Sequence, residues 1–172
     1  VGHSVFNPAQ QGTTADDYNA FGSRYQGGRY SDGHELVNWT NATTPVYSGT
    51  TSTRANTSTP GHSNFIYGNT TSYRDWLVTE NVSLWQASTV TGSNNPCPEG
   101  FRIPTKSEFD DLITAAGITD TNSAFSSSLK LVIGGWRNGF SSTPNNTIEI
   151  NEGEYWNSTT DAAPAATRSA SY

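Results

Sequence analysis

The sequence predicts an α+β domain with one main amphipathic helix, short antiparallel strands and long ordered loops. The helix is indicated by Thr105 and Glu108, which have capping-box spacing, and by apolar residues that follow at helical intervals. The strands are indicated by short segments separated by Gly, Asn and Pro turns. At 172 residues, the chain is expected to form a single domain over residues 1–172, with a hydrophobic core.

The main helix is expected to begin after Thr105 and to end at Gly117. Pro104 stops the preceding extended segment, and Gly117 suits the left-handed conformation that ends many helices. Because no other segment is so strongly amphipathic, the rest of the fold is expected to pack against this helix. Its apolar face, at positions i, i+3, i+4 and i+7, is predicted to consist of Phe109, Leu112, Ile113 and Ala116.

The patterns before this helix are weaker. Residues 4–6 are interpreted as a short edge strand, and Thr14 as the cap of a short helix that ends at Gly22. Residues 31–75 are expected to be mostly loop. Within them, residues 40–59 are rich in Ser, Thr and Asn and are predicted to form a long surface excursion, a kind of loop that is usually functional or mobile.

Residues 118–172 are interpreted as β structure, because short apolar or alternating segments follow one another with Gly and Asn turns between them. This succession favours an antiparallel, twisted sheet. The predicted strands cover residues 129–133, 136–140, 147–150, 154–158 and 167–172.

Composition and charge exclude several classes of function. The formal net charge is −6, and no run of Lys or Arg is present, so binding to a nucleic-acid backbone is not expected. No apolar run approaches the ~20 residues of a membrane-spanning helix, so membrane insertion is not expected either. The abundance of Ser, Thr, Asn and Gly is typical of secreted, β-rich proteins. The chain starts at Val1 without a visible signal peptide and is expected to be a mature or excised piece.

Several motifs resemble the Fibrobacter succinogenes major paralogous domain. Residues 97–109, CPEGFRIPTKSEF, are similar to its NPCPxGWRxPTxxEW signature, and residues 25–35 are similar to its YQWGR…DGH block, with Gly27 where the family usually has Trp. The resemblance covers the chain from about Tyr25 to Tyr172. Further similar blocks occur in the same order at residues 59–66, 75–76, 84–86, 129–137 and 155–159.

The resemblance implies a C-type-lectin-like fold, akin to the formylglycine-generating group of enzymes. That group uses a cysteine pair and copper, whereas Cys97 is the only cysteine here, so the activity cannot be carried over. Family members continue into a final strand that often bears a second cysteine, and this sequence stops at Tyr172. Either the domain lacks that strand or the chain was cut there. Cys97 itself is expected to be a small, buried apolar group.

A ligand-binding face is predicted on the late strands. Aromatic side chains mixed with amide and guanidinium groups are typical of recognition surfaces, and Arg137 could grip a carboxylate with two hydrogen bonds. Period-two alternation places Tyr155 and Asn157 on an outward face and Trp156 in the core. The alternative is that these aromatic residues are all core. The predicted ligand-binding residues are Trp136, Arg137, Asn138, Tyr155 and Asn157.

Calcium is the metal that the sequence favours. The three histidines and Cys97 match no zinc spacing, whereas carboxylate and amide oxygens on loops are ligands that calcium prefers. The alternative is that these are solvated turn residues. The predicted calcium ligands are Asp32, Glu35, Asn94 and Asn95.

The function expected from these observations is that of a secreted or cell-surface adhesion module without catalysis. It would recognise a peptide or carbohydrate on another cell surface, with calcium, as related domains of bacterial repeat adhesins do with peptide termini. The first alternative is a structural or decorating subunit of a surface fibre or phage particle, whose missing strand a neighbouring domain or subunit would donate. The second is an enzyme, although no catalytic motif stands out.

Overall fold

The computed structural model describes residues 12–47, 49–67, 75–85, 94–137, 148–149, 153–160 and 167–171. These residues form an α+β fold, as predicted, with two α-helices, one short 3-10 helix and eight strands. The 3-10 helix is Tyr18–Ala20, and the α-helices are α1 (Lys106–Ala115) and α2 (Thr121–Ser126). The strands are β1 (Val37–Asn41), β2 (Thr44–Tyr47), β3 (Thr50–Thr51), β4 (Phe65–Ile66), β5 (Trp136–Arg137), β6 (Ile148–Glu149), β7 (Glu154–Thr160) and β8 (Thr167–Ser171).

Among the described residues, the strands associate only in pairs. The pairs β1–β2, β5–β6 and β7–β8 are antiparallel, whereas β3–β4 is parallel. The prediction of antiparallel pairing is therefore confirmed for the late strands, but the described strands do not join into one sheet. Most of the chain between them is irregular, so its polar backbone groups must find partners outside sheet ladders.

Helix α1 begins as its sequence predicts. The Thr105 hydroxyl accepts a hydrogen bond from the Glu108 backbone N–H (3.2 Å), and the Glu108 carboxylate accepts one from the Thr105 N–H (2.8 Å). The Arg102 guanidinium donates to both carboxylate oxygens of Glu108, at 2.8 and 2.6 Å. These bonds, that from Arg102 foremost, hold the pKa of Glu108 at about 2, so the cap stays ionised under all ordinary conditions.

The end of α1 is also predicted correctly. Gly117 has a φ of +65°, the left-handed conformation that glycine adopts without steric cost. The Gly117 N–H donates to the Thr114 carbonyl, and the Ile118 N–H donates to the Ile113 carbonyl, which is the Schellman arrangement. The short-range signals in the sequence therefore define both ends of this helix.

The buried face of α1 is narrower than predicted. Phe109 is 7% exposed and stacks on Tyr155 of β7, whereas Leu112 is 42% exposed, so the prediction that Leu112 is buried was wrong. The helix packs on the β7–β8 hairpin, which is only two strands wide. Viewed down the helix axis, Ile113 and Ala116 point in nearly the same direction as Phe109. Leu112 points about 60° away from Phe109, beyond the edge of the contact between α1 and the hairpin.

The main cluster of buried apolar side chains does not include α1. It brings together residues that precede the helix in the chain, at β4 and in the segments around residues 75–85. The prediction that the rest of the fold packs against α1 was therefore wrong for this cluster. Its members are Ile66, Trp76, Leu77 and Leu84, with Ala55 packed against them.

The predicted excursion at residues 40–59 contains regular structure. Strands β1 and β2 form a hairpin in which Val37 lies opposite Tyr47. Asn41 directs the turn, since its side-chain oxygen accepts a hydrogen bond from the Thr43 N–H at 3.0 Å. The abundance of Ser, Thr and Asn concealed a strand pattern, because Thr and Asn occupy most of the exposed positions of the two strands, with Val46 the exception.

Residues 118–135 differ most from the predicted β structure. Helix α2 was not predicted, although Asp120 caps it by accepting a hydrogen bond from the Ser123 N–H at 2.8 Å. Residues 129–133 are not a strand, because the Leu131 N–H donates to Ala124 and the Ile133 N–H donates to Ala15. An apolar run alone therefore did not distinguish a strand from an irregular buried segment.

The remaining predictions are mostly confirmed where they can be compared. Strands β5, β6, β7 and β8 lie within or over the segments predicted at 136–140, 147–150, 154–158 and 167–172. The short N-terminal helix is 3-10, and Asp17 caps it in place of Thr14. The strand predicted at residues 4–6 lies outside the described residues. None of the helices in the described part of the chain has the length and apolar character needed to cross a bilayer.

Two alanine substitutions on α1 test the packing of this helix. Phe109→Ala should lower the free energy of unfolding by about 3–5 kcal/mol, because it removes a buried ring that stacks on Tyr155. Leu112→Ala should lower it by less than about 1 kcal/mol, because that side chain is exposed at the surface and loses fewer contacts than a core residue would. Urea denaturation of both variants provides the measurement. Equal losses would show that α1 buries the broader face.

Candidate functional site

The residues predicted to grip a ligand are mostly used inside the protein. Arg137 is 6% exposed, and its guanidinium lies between the rings of Tyr47 (4.5 Å) and Phe65 (4.1 Å). Its Nη1 donates a hydrogen bond to the His34 carbonyl at 3.0 Å. Burial lowers the pKa of Arg137 to about 10, so the group stays charged at neutral pH. Arg137 therefore does not present its guanidinium on an exposed face.

The same holds for the residues of β7. Asn157 is 3% exposed, and its side-chain oxygen accepts a hydrogen bond from the Thr159 N–H, so the prediction that Asn157 faces outward was wrong. Tyr155 is half-buried, and its hydroxyl both accepts from the Val132 N–H and donates to the Val132 carbonyl, each at 3.0 Å. Trp136 is half-buried, and Asn138 lies outside the described residues. The described members of this set form scaffold contacts.

Two of the predicted calcium ligands meet in one cluster. Asp32 and Glu35 lie with His34 so that one ligand atom from each is within 4.8 Å of the others, close enough to hold a metal ion. Sequence reasoning had assigned His34 no part in a metal site. Its two-residue separation from Asp32 and its adjacency to Glu35 were the available signals. The other two predicted ligands, Asn94 and Asn95, direct their side-chain amides at carbonyls elsewhere.

Hydrogen bonding identifies the protonation state of His34, which is fully buried. The Gln26 backbone N–H donates to His34 Nε2 at 3.0 Å, so that nitrogen carries no proton. The other nitrogen, Nδ1, lies 2.7 Å from Asp32 Oδ1 and therefore bears the proton that it donates to the carboxylate. Burial is the main cause that lowers the pKa of His34, and it favours this neutral form.

Asp32 is the carboxylate on which the cluster converges. Its Oδ2 accepts from Arg29 Nε at 2.8 Å and lies 2.7 Å from Arg29 Nη2, while its Oδ1 accepts from the side chain and backbone N–H of His34. Burial alone would raise the pKa of Asp32, but the bonds from His34 and Arg29 outweigh it and the pKa is lowered. Asp32 is therefore an ionised carboxylate whose two oxygens are already engaged.

These bonds fit an internal ion network better than a calcium site. A cation at the cluster would have to displace donors from both oxygens of Asp32 and lie near the positive charge of Arg29. Coordination by His34 Nδ1 would also require removal of its proton while Nε2 still accepts from Gln26. Each of these changes would break hydrogen bonds that now stabilise the cluster, and would therefore cost free energy.

Arg29 connects this cluster to a distant segment of the chain. Its guanidinium is fully buried, and its Nη1 donates to the Gln26 side-chain oxygen (2.9 Å) and the Asn64 carbonyl (3.0 Å). Its Nη2 donates to the His62 carbonyl at 2.7 Å. Together with the bond from Nε to Asp32, these contacts engage all three nitrogens of the guanidinium. The network therefore ends on two backbone carbonyls near β4.

The segment that Arg29 holds is the 52–64 loop, which connects β3 to β4. The parallel pairing of Thr50 with Phe65 and of Thr51 with Ile66 brings the two ends of the loop together. Midway, Ala55 forms two backbone hydrogen bonds of 2.9 Å with the segment around Leu77. The loop is thus closed at its base and attached along one side.

Side chains from other segments hold the loop at further points. Asn94 donates from its amide to the Ser58 carbonyl (3.0 Å) and to the Gly28 carbonyl (2.9 Å). Within the loop, Arg54 donates to the carbonyls of Asp75 and Leu77. The loop is therefore long, irregular and fixed from the inside at several points. Its outward side chains are exposed: Ser52, Thr53, Asn56, Thr57, Thr59, His62 and Ser63.

The exposed face of the 52–64 loop is the candidate binding site. A long irregular loop in a compact domain is usually functional or mobile, and this loop is anchored at several points. The sequence analysis placed most of it in the predicted excursion at residues 40–59 and named no site residue there. The available signal was the length of the segment, but the contacts of Arg29 and Asn94 could not be read from local patterns.

No family model matches the chain, and no curated protein or solved structure gives a significant match.

Asp32→Asn tests the ion network. The substitution preserves shape but leaves the buried Arg29 without its counter-charge, so the free energy of unfolding should fall by about 3–5 kcal/mol. The matched control is Asp110→Asn, which removes the carboxylate of the exposed ion pair with Lys106 and should cost less than about 0.5 kcal/mol. Urea denaturation measures both, and similar small losses would show that the Asp32 pair is dispensable.

A second experiment distinguishes the network from a calcium site. Because a cation would have to displace Arg29 and His34 from Asp32, we expect the same melting temperature in millimolar calcium and in EDTA. Metal that binds only the native state must raise the melting temperature. A rise in calcium that Glu35→Gln abolishes would therefore show that calcium occupies the cluster.

Proposed function

We propose that the protein is a non-catalytic binding module that recognises its ligand with the exposed face of the 52–64 loop. The observation that carries this proposal is the hold of Arg29 on the His62 and Asn64 carbonyls from inside the protein. Asn94 supports the same loop at Ser58. Binding residues often lie on loops that a rigid scaffold positions, and this arrangement is of that kind.

Pre-organisation explains why such a loop suits recognition. A mobile loop must lose conformational entropy when it binds, at a cost of about 0.5–1.5 kcal/mol for each side chain that becomes fixed. A loop whose carbonyls are already bonded to Arg29 and Asn94 has paid the backbone part of that cost during folding. The exposed side chains then meet a ligand from a fixed backbone, which favours both affinity and specificity.

The buried cluster supports binding rather than catalysis. Asp32, His34 and Glu35 are the acid and base groups that the described residues bring together. His34 and Glu35 are buried, and both nitrogens of His34 are engaged, one by Gln26 and the other by Asp32. A general acid or base must reach a substrate proton. Within this cluster Asp32 binds Arg29, and Arg29 in turn donates to the His62 and Asn64 carbonyls of the loop.

The biological setting of the proposal comes from the sequence. The resemblance to a family of surface domains and the secreted type of composition favour an adhesion module that meets a peptide or carbohydrate on another cell. The calcium that the loop oxygens of the sequence favoured is not part of this proposal, since the oxygens of Asp32 are engaged by Arg29 and His34. The ligand instead meets the loop directly.

Glycan and peptide arrays probed with the labelled protein test the proposal. We expect at least one ligand to be retained, and the double variant Asn56→Ala with Thr59→Ala to lose about tenfold or more in affinity, because both exposed side chains belong to the loop. The matched control is Thr119→Ala with Asn122→Ala, which changes the same residue types at exposed positions outside the loop.

Other outcomes contradict the proposal in recognisable ways. Equal losses in both double variants, or none in either, would place the binding surface elsewhere. Turnover of an array ligand would show an enzyme. Retention of no ligand, together with concentration-dependent assembly in sedimentation, would favour the structural subunit of a fibre or particle.

A further inference from the structure

The sequence around the loop is unusually poor in charge. Between residues 36 and 67 the only Asp, Glu, Lys or Arg is Arg54, whereas the whole chain carries nine basic and fifteen acidic residues. The described parts of this segment, residues 36–47 and 49–67, include the β1–β2 hairpin and the entire 52–64 loop. Any charge of the site must therefore come from Arg54 or from other segments.

Arg54 directs its guanidinium away from the ligand face. Its Nε donates to the Asp75 carbonyl at 3.0 Å, and its Nη2 donates to the carbonyls of Leu77 and Val78. The basic residue of the loop thus holds the segment that packs beneath it. Arg29, the other cation that contacts the loop within the described part of the chain, is fully buried and bonded to Asp32.

The exposed face of the loop consists mainly of uncharged polar groups. Thr57, Thr59 and Ser63 contribute hydroxyls, and Asn56 contributes an amide. A hydroxyl or an amide both donates and accepts hydrogen bonds, so it can match a ligand hydroxyl in either role. A charged ligand group would lose its hydration here without meeting an opposite charge, which is costly.

We propose that the ligand class of this loop is a neutral saccharide, an inference that rests on the proposed binding function. A sugar presents hydroxyls that act as donors and acceptors, and it carries no charge that requires a counter-ion. A peptide terminus is the less suitable ligand, because the arginine predicted to grip its carboxylate, Arg137, is buried against Tyr47 and Phe65.

The test compares three immobilised panels: neutral oligosaccharides, acidic oligosaccharides with sulfate or uronic acid groups, and peptides with free carboxyl termini. Binding of the wild-type chain is measured at about 50 and 500 mM NaCl, since salt screens contacts between exposed charges. We expect neutral oligosaccharides to be retained, with less than about a twofold change in affinity between the two salt concentrations.

Two variants locate the contact. Thr59→Val removes one exposed hydroxyl at nearly constant shape and should weaken neutral-saccharide binding about five- to tenfold, as expected for loss of one hydrogen bond. Thr119→Val makes the same change at an exposed position outside the loop and should leave the affinity unchanged. Melting temperatures of both variants show whether each remains folded.

The outcomes separate the two proposals. Selective binding of acidic glycans or peptide termini that Thr59→Val weakens would overturn the saccharide inference while the loop remained the binding site. Saccharide binding that neither variant changes would overturn the loop assignment. If no panel is retained by a folded protein, the binding function itself is wrong.

Discussion

The structure depends on one fully buried guanidinium, that of Arg29. A charge removed from water destabilises a protein unless it is paired and its hydrogen-bonding groups are satisfied. Arg29 meets both conditions, because Asp32 supplies the opposite charge and three oxygens from other residues accept its remaining donors. Since His62 and Asn64 are far from Arg29 in the sequence, satisfying this one group fixes the segment before β4 against residues 26–32.

Other polar side chains also bond to the carbonyls of irregular segments. Arg24 donates to the carbonyls of Phe21 and Gly134, although its Nε has no hydrogen-bond partner among the described residues. The indole N–H groups of Trp76 and Trp156 donate to carbonyls in distant segments, and that of Trp85 donates to the Asn94 carbonyl. The described strands are mostly short and associate only in pairs, so they satisfy few backbone groups. Side chains that bond to loop carbonyls replace the missing ladders and let irregular segments be buried.

What the sequence predicted well was local. The capping box of Thr105 and Glu108 and the glycine end of α1 involve residues within a few positions of each other, and both are present. The α+β class followed from the same kind of signal. The extent of burial on α1 was not local, because the width of the β7–β8 hairpin, and not the pattern of the helix, decides that Leu112 is exposed.

The burial of Arg137 and Asn157, which were predicted to lie on a ligand-binding face, escaped prediction for a related reason. Aromatic rings, an arginine and an asparagine are equally suited to recognition and to a polar core, and only burial distinguishes the two uses. Arg137 lies between two rings inside the protein, where a ligand carboxylate could not reach it. The 52–64 loop at the surface has no Phe, Tyr or Trp, and its one arginine, Arg54, bonds to backbone carbonyls. The loop is a candidate binding site because Arg29 and Asn94 hold it in place, and these two residues are some thirty positions away from it along the chain.

Bonds to the backbone hold the 52–64 loop, whereas its outward side chains form the proposed ligand surface, and this separation affects specificity. The 52–64 loop is held through its carbonyl groups at Ser58, His62 and Asn64, and every amino acid supplies such a carbonyl. The outward side chains of Asn56 and Thr59 take no part in that hold. They can therefore be exchanged with little effect on the conformation of the loop, so that the proposed ligand surface changes while the buried arginine keeps the same two segments, residues 26–32 and 62–64, in place.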